Sequence, residues 1–262
     1  WAAEVLARSG VAELTLVDLD HVAESNINRQ VQALTPTLGQ AKGQALAERI
    51  ALIHPGCRVH VVEEFASPDN WPALLPTPVD GLIDACDQVR AKEALASWSL
   101  AARVPCVVVG AAGGKRRPEA VQVADLAEVS HDPLLAALRQ RLRRAGAVPR
   151  VASGGKGTAG SGTALRTGLT CVYSREPVSL PMGTADAGAA TVATNAACEA
   201  PAMATTSGIA GASGAATTSD GTLNCAGYGS SVMVTATFGM VAAGAAVSQL
   251  LALSGSAPAQ GR

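Results

Sequence analysis

Apolar and polar positions follow two periods along the first half of the chain. Short apolar runs at Glu13–Asp18, Arg58–Val62, Gly81–Asp84 and Cys106–Gly110 read as strands. Between them the apolar residues fall at helical spacing. Ala41, Ala45, Leu46, Ile50 and Ile53 share one face of a helix predicted over Gly39–His54, which Pro55 and Gly56 end. A second helix is predicted over Val89–Ala102, and Ser67-Pro68-Asp69 starts a short one. Trp1 to Arg8 is helical from the first residue, with Gly10 as its stop. Strands alternating with helices imply crossover units and a mostly parallel sheet buried on both faces, an α/β Rossmann-like fold. With neither Met nor cap ahead of Trp1, an upstream strand and turn are expected to be missing, so the chain reads as N-terminally truncated.

After Gly110 the pattern changes. Gly113 to Pro118 is a turn, Ala120–Ala124 an additional strand, and Asp132-Pro133 opens a helix to about Arg144. Leu169–Ser174 is a further strand. Gly154–Gly162 is rich in Gly, Ser and Thr and is expected to be mobile. Residues 181–222 hold almost only Ala, Gly, Thr and Ser, too little to bury, and read as a low-complexity, disordered insertion. The expected organisation is a nucleotide-binding domain over 1–180, that insertion, and a segment 223–256 whose helix packs on the same domain. Ser230–Leu253 carries no charge over 24 residues, long enough to cross a bilayer. Its Gly, Ala and Thr content and the lack of a flanking basic cluster favour a buried helix over single-pass membrane contact.

Charge adds one feature. Residues 1–100 hold 7 basic and 13 acidic side chains, whereas 101–180 hold 12 basic and 5 acidic. A basic section on a near-neutral chain suggests a local anionic partner, or a solvated helix face. Lys115, Arg116 and Arg117 sit on the turn, and Arg139, Arg141, Arg143 and Arg144 on the following helix. Such groups bind nucleic-acid phosphates without reading sequence, and salt weakens that binding. The six cysteines include no C-x-x-C pair, so no structural zinc is expected. Reduced thiols and no signal-like start imply the cytoplasm.

The chemistry concentrates after the first strand. Asp18-Leu19-Asp20 ends it, Asn26-Ile27-Asn28-Arg29-Gln30 follows, and Gly39-Gln40-Ala41-Lys42 opens the next helix. An acid at a parallel strand's carboxyl end meets a nucleotide ribose, so Asp18 or Asp20 is a candidate; an Asp here also commonly caps a turn. Arg29 supplies a planar fork and Lys42 a point charge for phosphates. A lysine at a helix start opposes the macrodipole, which a phosphate in the same space explains. Asn26 and Gln30 can position phosphate oxygens. Asp84-Ala85-Cys86-Asp87 closes a later strand; Asp87 is the candidate for Mg²⁺, and Asp84 can cap the loop.

Taken together these four segments resemble the ThiF/MoeB/HesA superfamily, the ATP-dependent adenylating fold shared with ubiquitin-activating enzymes. The resemblance implies that Asp18 binds ribose, that Asn26, Arg29 and Lys42 bind phosphates, and that Asp87 holds Mg²⁺, with Arg29, Lys42 and Asp87 as the catalytic set; Asp20 and Gln30 stay candidates in the same cofactor-binding set. Further segments are similar to one branch, the tRNA threonylcarbamoyladenosine dehydratases. They are Gly110-Ala111-Ala112-Gly113-Gly114, Gln122-Val123-Ala124-Asp125-Leu126, His131-Asp132-Pro133-Leu134, Val172-Tyr173-Ser174-Arg175-Glu176-Pro177 and Asn224-Cys225-Ala226-Gly227-Tyr228-Gly229. This branch cyclises its nucleoside beside the tRNA anticodon by adenylating a carboxylate. Implied partners are ATP, Mg²⁺, tRNA and a second copy in a homodimer. Cys225 is a possible sulfur acceptor from a cysteine desulfurase system, or a plain buried thiol.

The family's Gly-rich phosphate turn is expected just before Trp1 and is not in this sequence, which puts turnover by this chain alone in doubt. Two other readings stay open. One is an adenylyltransferase acting on the C-terminal glycine of a ubiquitin-like sulfur carrier, whose members usually carry C-x-x-C pairs. The other is a non-catalytic binding protein on the same fold.

Overall fold

The computed structural model describes residues 1–149, 166–178 and 229–255. The Gly/Ser/Thr-rich stretch at 154–162, the insertion at 181–222 and Cys225 lie outside the described residues. Helix α1 (Ala2–Arg8) leads into β1 (Glu13–Val17), which pairs in parallel with β2 (Arg58–Val62) through α2 (Lys42–Ile53). A separate four-stranded sheet has the order β3-β4-β6-β5, built from β3 (Leu82–Asp84), β4 (Cys106–Val109), β5 (Val121–Asp125) and β6 (Thr170–Ser174). Strands β3, β4 and β6 run parallel and β5 is antiparallel at the edge. Helices α3 (Val89–Ala102), α4 (Pro133–Ala145) and α5 (Val232–Gly255) complete the fold. The sequence pattern suggested one sheet; the strands divide into a parallel pair and a mixed sheet of four. No helix forms after Ser67: residues 68–74 make only turns, with isolated bonds from Trp71 N–H to Ser67 and Leu74 N–H to Asn70.

The alternation inside each central strand explains why both faces are covered. Cys106 and Val108 of β4, Cys171 and Tyr173 of β6, and Leu82 of β3 face one core with Leu135, Leu138 and Leu142 of α4 and Ala96 of α3. Val107, Val172 and Ile83 point the other way, against Val234, Phe238, Ala242 and Ala246 of α5. Side chains alternate across a strand, so a continuous apolar run buries both sides at once. In α4 the buried leucines repeat along one face. Pro133 starts that helix, Asp132 caps it by accepting the Leu135 N–H, and Gly146 in the left-handed region ends it.

Helix α5 differs from the expected buried helix. One face is in the core, but Met233, Met240, Leu251 and Leu253 are exposed. By length and composition alone it could cross a membrane; one such helix is weak evidence for that.

Candidate nucleotide site

Five strands of the two sheets are parallel within their sheets, and the chemistry sits just beyond the carboxyl ends of β1, β3, β4 and β6. Asp18 follows β1, and its N–H is still bonded to Val62 O of β2. Its Oδ1 accepts the Asp20 N–H at 2.9 Å, an Asx turn that redirects the chain. Residues 20–22 then pair back on 39–42: His21 bridges Ala41, Val22 N–H donates to Gln40 O, Gly39 N–H to Val22 O, and Lys42 N–H to Asp20 O. The whole segment 23–38 is therefore an excursion closed at its base. That closure brings Lys42, 22 residues away, to 2.6 Å from Asp20 Oδ2.

The excursion carries the amide and guanidinium candidates. Asn26 is buried and turned inward, its Oδ1 accepting the Ala23 N–H at 3.0 Å. The half-buried Arg29 folds onto its own loop, donating to Ser25 O and to Asn28 Oδ1. Gln30 accepts from Gln32 Nε2. The loop is tied to the rest of the protein through its backbone. Arg29 O accepts from Trp1 Nε1 at 2.9 Å and Thr235 Oγ1 at 3.0 Å, and Asn28 Nδ2 reaches Ser230 O.

Asp87 is exposed beyond β3, close enough that its charge acts on Asp18. Burial pushes the Asp18 carboxyl above the usual carboxylate range, with the like charges of Asp20 and Asp87 adding to the shift. The Asp20 N–H and Lys42 oppose it. Asp18, Asp20, Lys42 and Asp87 thus share one electrostatic neighbourhood; Asn26, Arg29 and Gln30 lie on the loop that leaves it.

A raised carboxyl pKa means that the folded state holds the proton more tightly than the unfolded chain. Stability therefore falls as pH rises from the unfolded carboxyl value to the folded one, and the penalty is complete above both. Asp18→Asn keeps an oxygen for the Asp20 N–H and removes the penalty. It is expected to raise Tm near neutral pH and to leave it unchanged below about pH 3, where Asp is protonated in both states. Calorimetry across that range checks this; a Tm gain that persists in acid would refute the electrostatic explanation.

The basic residues divide into two sets. Arg116, Arg117 and Arg144 are exposed, with Arg117 paired to Glu119 at 2.7 Å. Lys115 departs from the expected surface turn: it is only 2% exposed, and its ammonium donates to His131 O and Glu176 O. Burial lowers its pKa, opposed by Asp132 and Glu176. Glu176 also accepts the N–H groups of Arg116 and Arg117, so it organises the whole turn. Arg139 donates to Leu126 O and Val129 O, and Arg141 pairs with Glu93 of α3. These contacts staple α4 to its surroundings. Arg143 is half-buried.

Sequence reasoning assigned nothing to Lys92, which is fully buried beside Asp84. A signal was present. Lys92 falls on the helical stripe of Leu95, Ala96 and Ser99, so a lysine there faces the core.

The fold and this strand-end site define an adenylating α/β domain, and the comparisons with known proteins place it. The chain belongs to the ThiF family, whose model matches residues 1–260. It is 38% identical over 255 residues to a tRNA threonylcarbamoyladenosine dehydratase of Escherichia coli, covering 96% of this chain and 82% of the relative. A Haemophilus influenzae protein of the same name is 32% identical, covering 96% and 81%. Among solved structures, the Escherichia coli enzyme in complex with ATP aligns with a TM-score of 0.73 at 34% identity, covering 100% of this chain and 83% of that one. A structure of the same enzyme with AMP aligns with the same TM-score.

Proposed function

We propose that this protein uses ATP to dehydrate, and so cyclise, threonylcarbamoyladenosine next to the anticodon of tRNA. The observation that carries the reading is the cluster of Asp18, Asp20, Lys42 and Asp87 beyond the strand ends, in a chain similar over nearly its whole length to dehydratases of that name. The structures of a relative with ATP and with AMP supply the nucleotide and the product expected of adenylation.

The chemistry follows from leaving groups. A carboxylate resists attack because an oxide would have to leave. Attack of the nucleoside carboxylate on the α-phosphorus of ATP forms a C–O–P bond and expels pyrophosphate. The ureido group of the same nucleoside then attacks the acyl carbon, and the carboxyl C–O bond breaks as AMP departs with the electron pair. A ureido proton goes to solvent, and the nucleoside has lost one water. Because nucleophile and electrophile share one molecule, the protein need only orient them. Lys42 and Arg29 are the proposed phosphate clamps, and Asp18 and Asp20 the ribose acceptors. Among the described residues no three acidic, His or Cys side chains are grouped to hold a metal by themselves, so Asp87, an exposed carboxylate, would offer one hard oxygen donor and the nucleotide phosphates the others, the pattern that suits Mg²⁺. When bound, that ion supplies shielding of phosphate charge. Arg116, Arg117 and Arg144 are the proposed tRNA contacts, and the cytoplasm the proposed location.

Incubation with ATP and tRNA carrying threonylcarbamoyladenosine, followed by mass spectrometry of the nucleosides, tests the proposal. Loss of one water, with ATP consumed only when modified tRNA is present, is the expected result. Adenylation of a sulfur-carrier protein with the tRNA unchanged would replace this reading with that of a carrier adenylyltransferase.

A further inference from the structure

Asp84 and Lys92 form an ion pair to which the reading above gives no task. Lys92 is 0% exposed, and its Nζ lies 3.1 Å from Asp84 Oδ1, where the carboxylate side chain is equally buried. The ammonium also donates to Val109 O at 2.8 Å and to Asp84 O at 3.3 Å. From α3 it therefore ties the carboxyl ends of β3 and β4 together. The same Oδ1 accepts the Cys86 N–H at 3.1 Å and the Cys86 thiol at 2.9 Å, so the turn leading to Asp87 is wound around one oxygen. The other oxygen, Oδ2, is buried without a hydrogen-bond partner among the described residues.

Energetics make stability a poor explanation for the pair. Desolvating two charges costs about as much as their attraction returns, and apolar residues of similar volume often serve as well or better. Burial is the largest single influence on Lys92 and works against its charge, but the Asp84 carboxylate, with smaller contributions from Cys86 and Cys106, raises its pKa on balance, so the ammonium stays charged. A direct metal role for Asp84 does not fit either, because its carboxylate is enclosed and already neutralised by Lys92. What remains is geometry. Cys86 immediately precedes Asp87, and Asp87 is the exposed carboxylate.

We propose that the Asp84–Lys92 pair is a positioning device that holds the 84–87 turn so that the Asp87 carboxylate is aimed at the metal of the bound nucleotide. Lys92 and Asp84 are positioning residues and touch no substrate. The inference rests on the assignment of Asp87 as the metal-holding carboxylate.

The test uses Mn²⁺ as a spectroscopic stand-in for Mg²⁺, titrated into the protein with a non-hydrolysable ATP analogue and followed by the electron paramagnetic resonance of free Mn²⁺. Three variants are compared with the parent: Asp87→Asn, Asp84→Leu/Lys92→Met and Asp84→Asn. The apolar double variant should keep Tm within about 5 °C of the parent, since neutral pairs of similar volume are tolerated. It should nevertheless weaken Mn²⁺ binding about 10–100-fold, the loss typical when a group orienting a ligand is removed. Asp87→Asn should weaken it at least as much. Asp84→Asn keeps an oxygen for the Cys86 N–H and should lose less than the double variant. Parental Mn²⁺ affinity in the double variant, with Asp87→Asn impaired, overturns the inference alone. So does a double variant that does not fold, because the pair is then a stability element. Equal losses from Asp84→Asn and the double variant overturn it as well, since charge rather than turn geometry is then decisive. Parental affinity in Asp87→Asn overturns the metal assignment on which the inference stands.

Discussion

Lys42→Ala is expected to lower tRNA-dependent ATP consumption by about a hundred- to a thousandfold, the loss typical of removing one preorganised charge-stabilising group. The ammonium sits at the first residue of α2, where the helix macrodipole disfavours a cation, and Asp20 offsets this at 2.6 Å. Asp20 is half exposed, so the ion pair itself adds about 1 kcal/mol or less to stability. Losing it should leave Tm nearly unchanged, and the effect belongs to phosphate binding rather than folding. Arg29→Ala is expected to act alike for a different structural reason. Its loop is anchored through the Arg29 carbonyl to Trp1 and Thr235, so the backbone keeps its place without the guanidinium. The checks are ATP consumption with modified tRNA and retention of that tRNA on a filter. Retention near the parent's level with lost ATP consumption supports the site; loss of both in parallel would show that these residues do not form a separate nucleotide site.

The elements that were legible in the sequence are those whose partners are near or whose faces are all buried. Cys106–Val109 is one apolar run because α3 and α4 cover one face and α5 the other, so its strand character needs no knowledge of neighbours. The α4 boundaries follow from Asp132-Pro133 and Gly146, which act within one turn. The Asp18 to Lys42 cluster was legible because its residues lie on either side of one closed excursion.

What the sequence hid depends on distant partners. The turn at Gly113 to Pro118 reads as a basic surface, yet Lys115 is enclosed because Glu176, 61 residues on, returns beside it. Arg139 looks like a phosphate ligand on a polar helix face, but two backbone carbonyls around the end of β5 need a donor there. Arg141 finds Glu93 on a helix 48 residues earlier. Each is a basic residue spent on the fold, and composition cannot separate it from Arg116 or Arg144. The division into two sheets was likewise out of reach, since local patterning sets strand identity but not which edges meet.

Gly110→Ala should be among the most damaging single-methyl additions in the fold, and it reaches the site through packing alone. Gly110 follows β4, its N–H bonded to Val172 O of β6. A Cβ there would lie 2.2 Å from Asp132 Oδ2, 3.0 Å from Asp132 Cγ and 3.1 Å from Leu135 Cδ1. The Asp132 carboxylate has little room to withdraw. It is 3% exposed, caps α4 through the Leu135 N–H at 3.0 Å and holds the Ala111 N–H at 2.9 Å. Overpacking of this kind costs about 1–3 kcal/mol, and a lost cap about 1 kcal/mol more. For a chain of this size each kcal/mol corresponds to roughly 2–4 °C, so Tm should fall by roughly 5–15 °C. The strain falls on the 110–117 loop, which carries the exposed Arg116 and Arg117, so tRNA retention should weaken even where the protein stays folded. Asp132→Ser supplies the control. Serine also caps a helix but is shorter, so in the Gly110→Ala background it should recover part of the lost Tm, whereas in the parent it should lower Tm. Thermal melts of the four proteins decide the matter: strictly additive effects would mean that the Gly110–Asp132 contact is not where the methyl group acts.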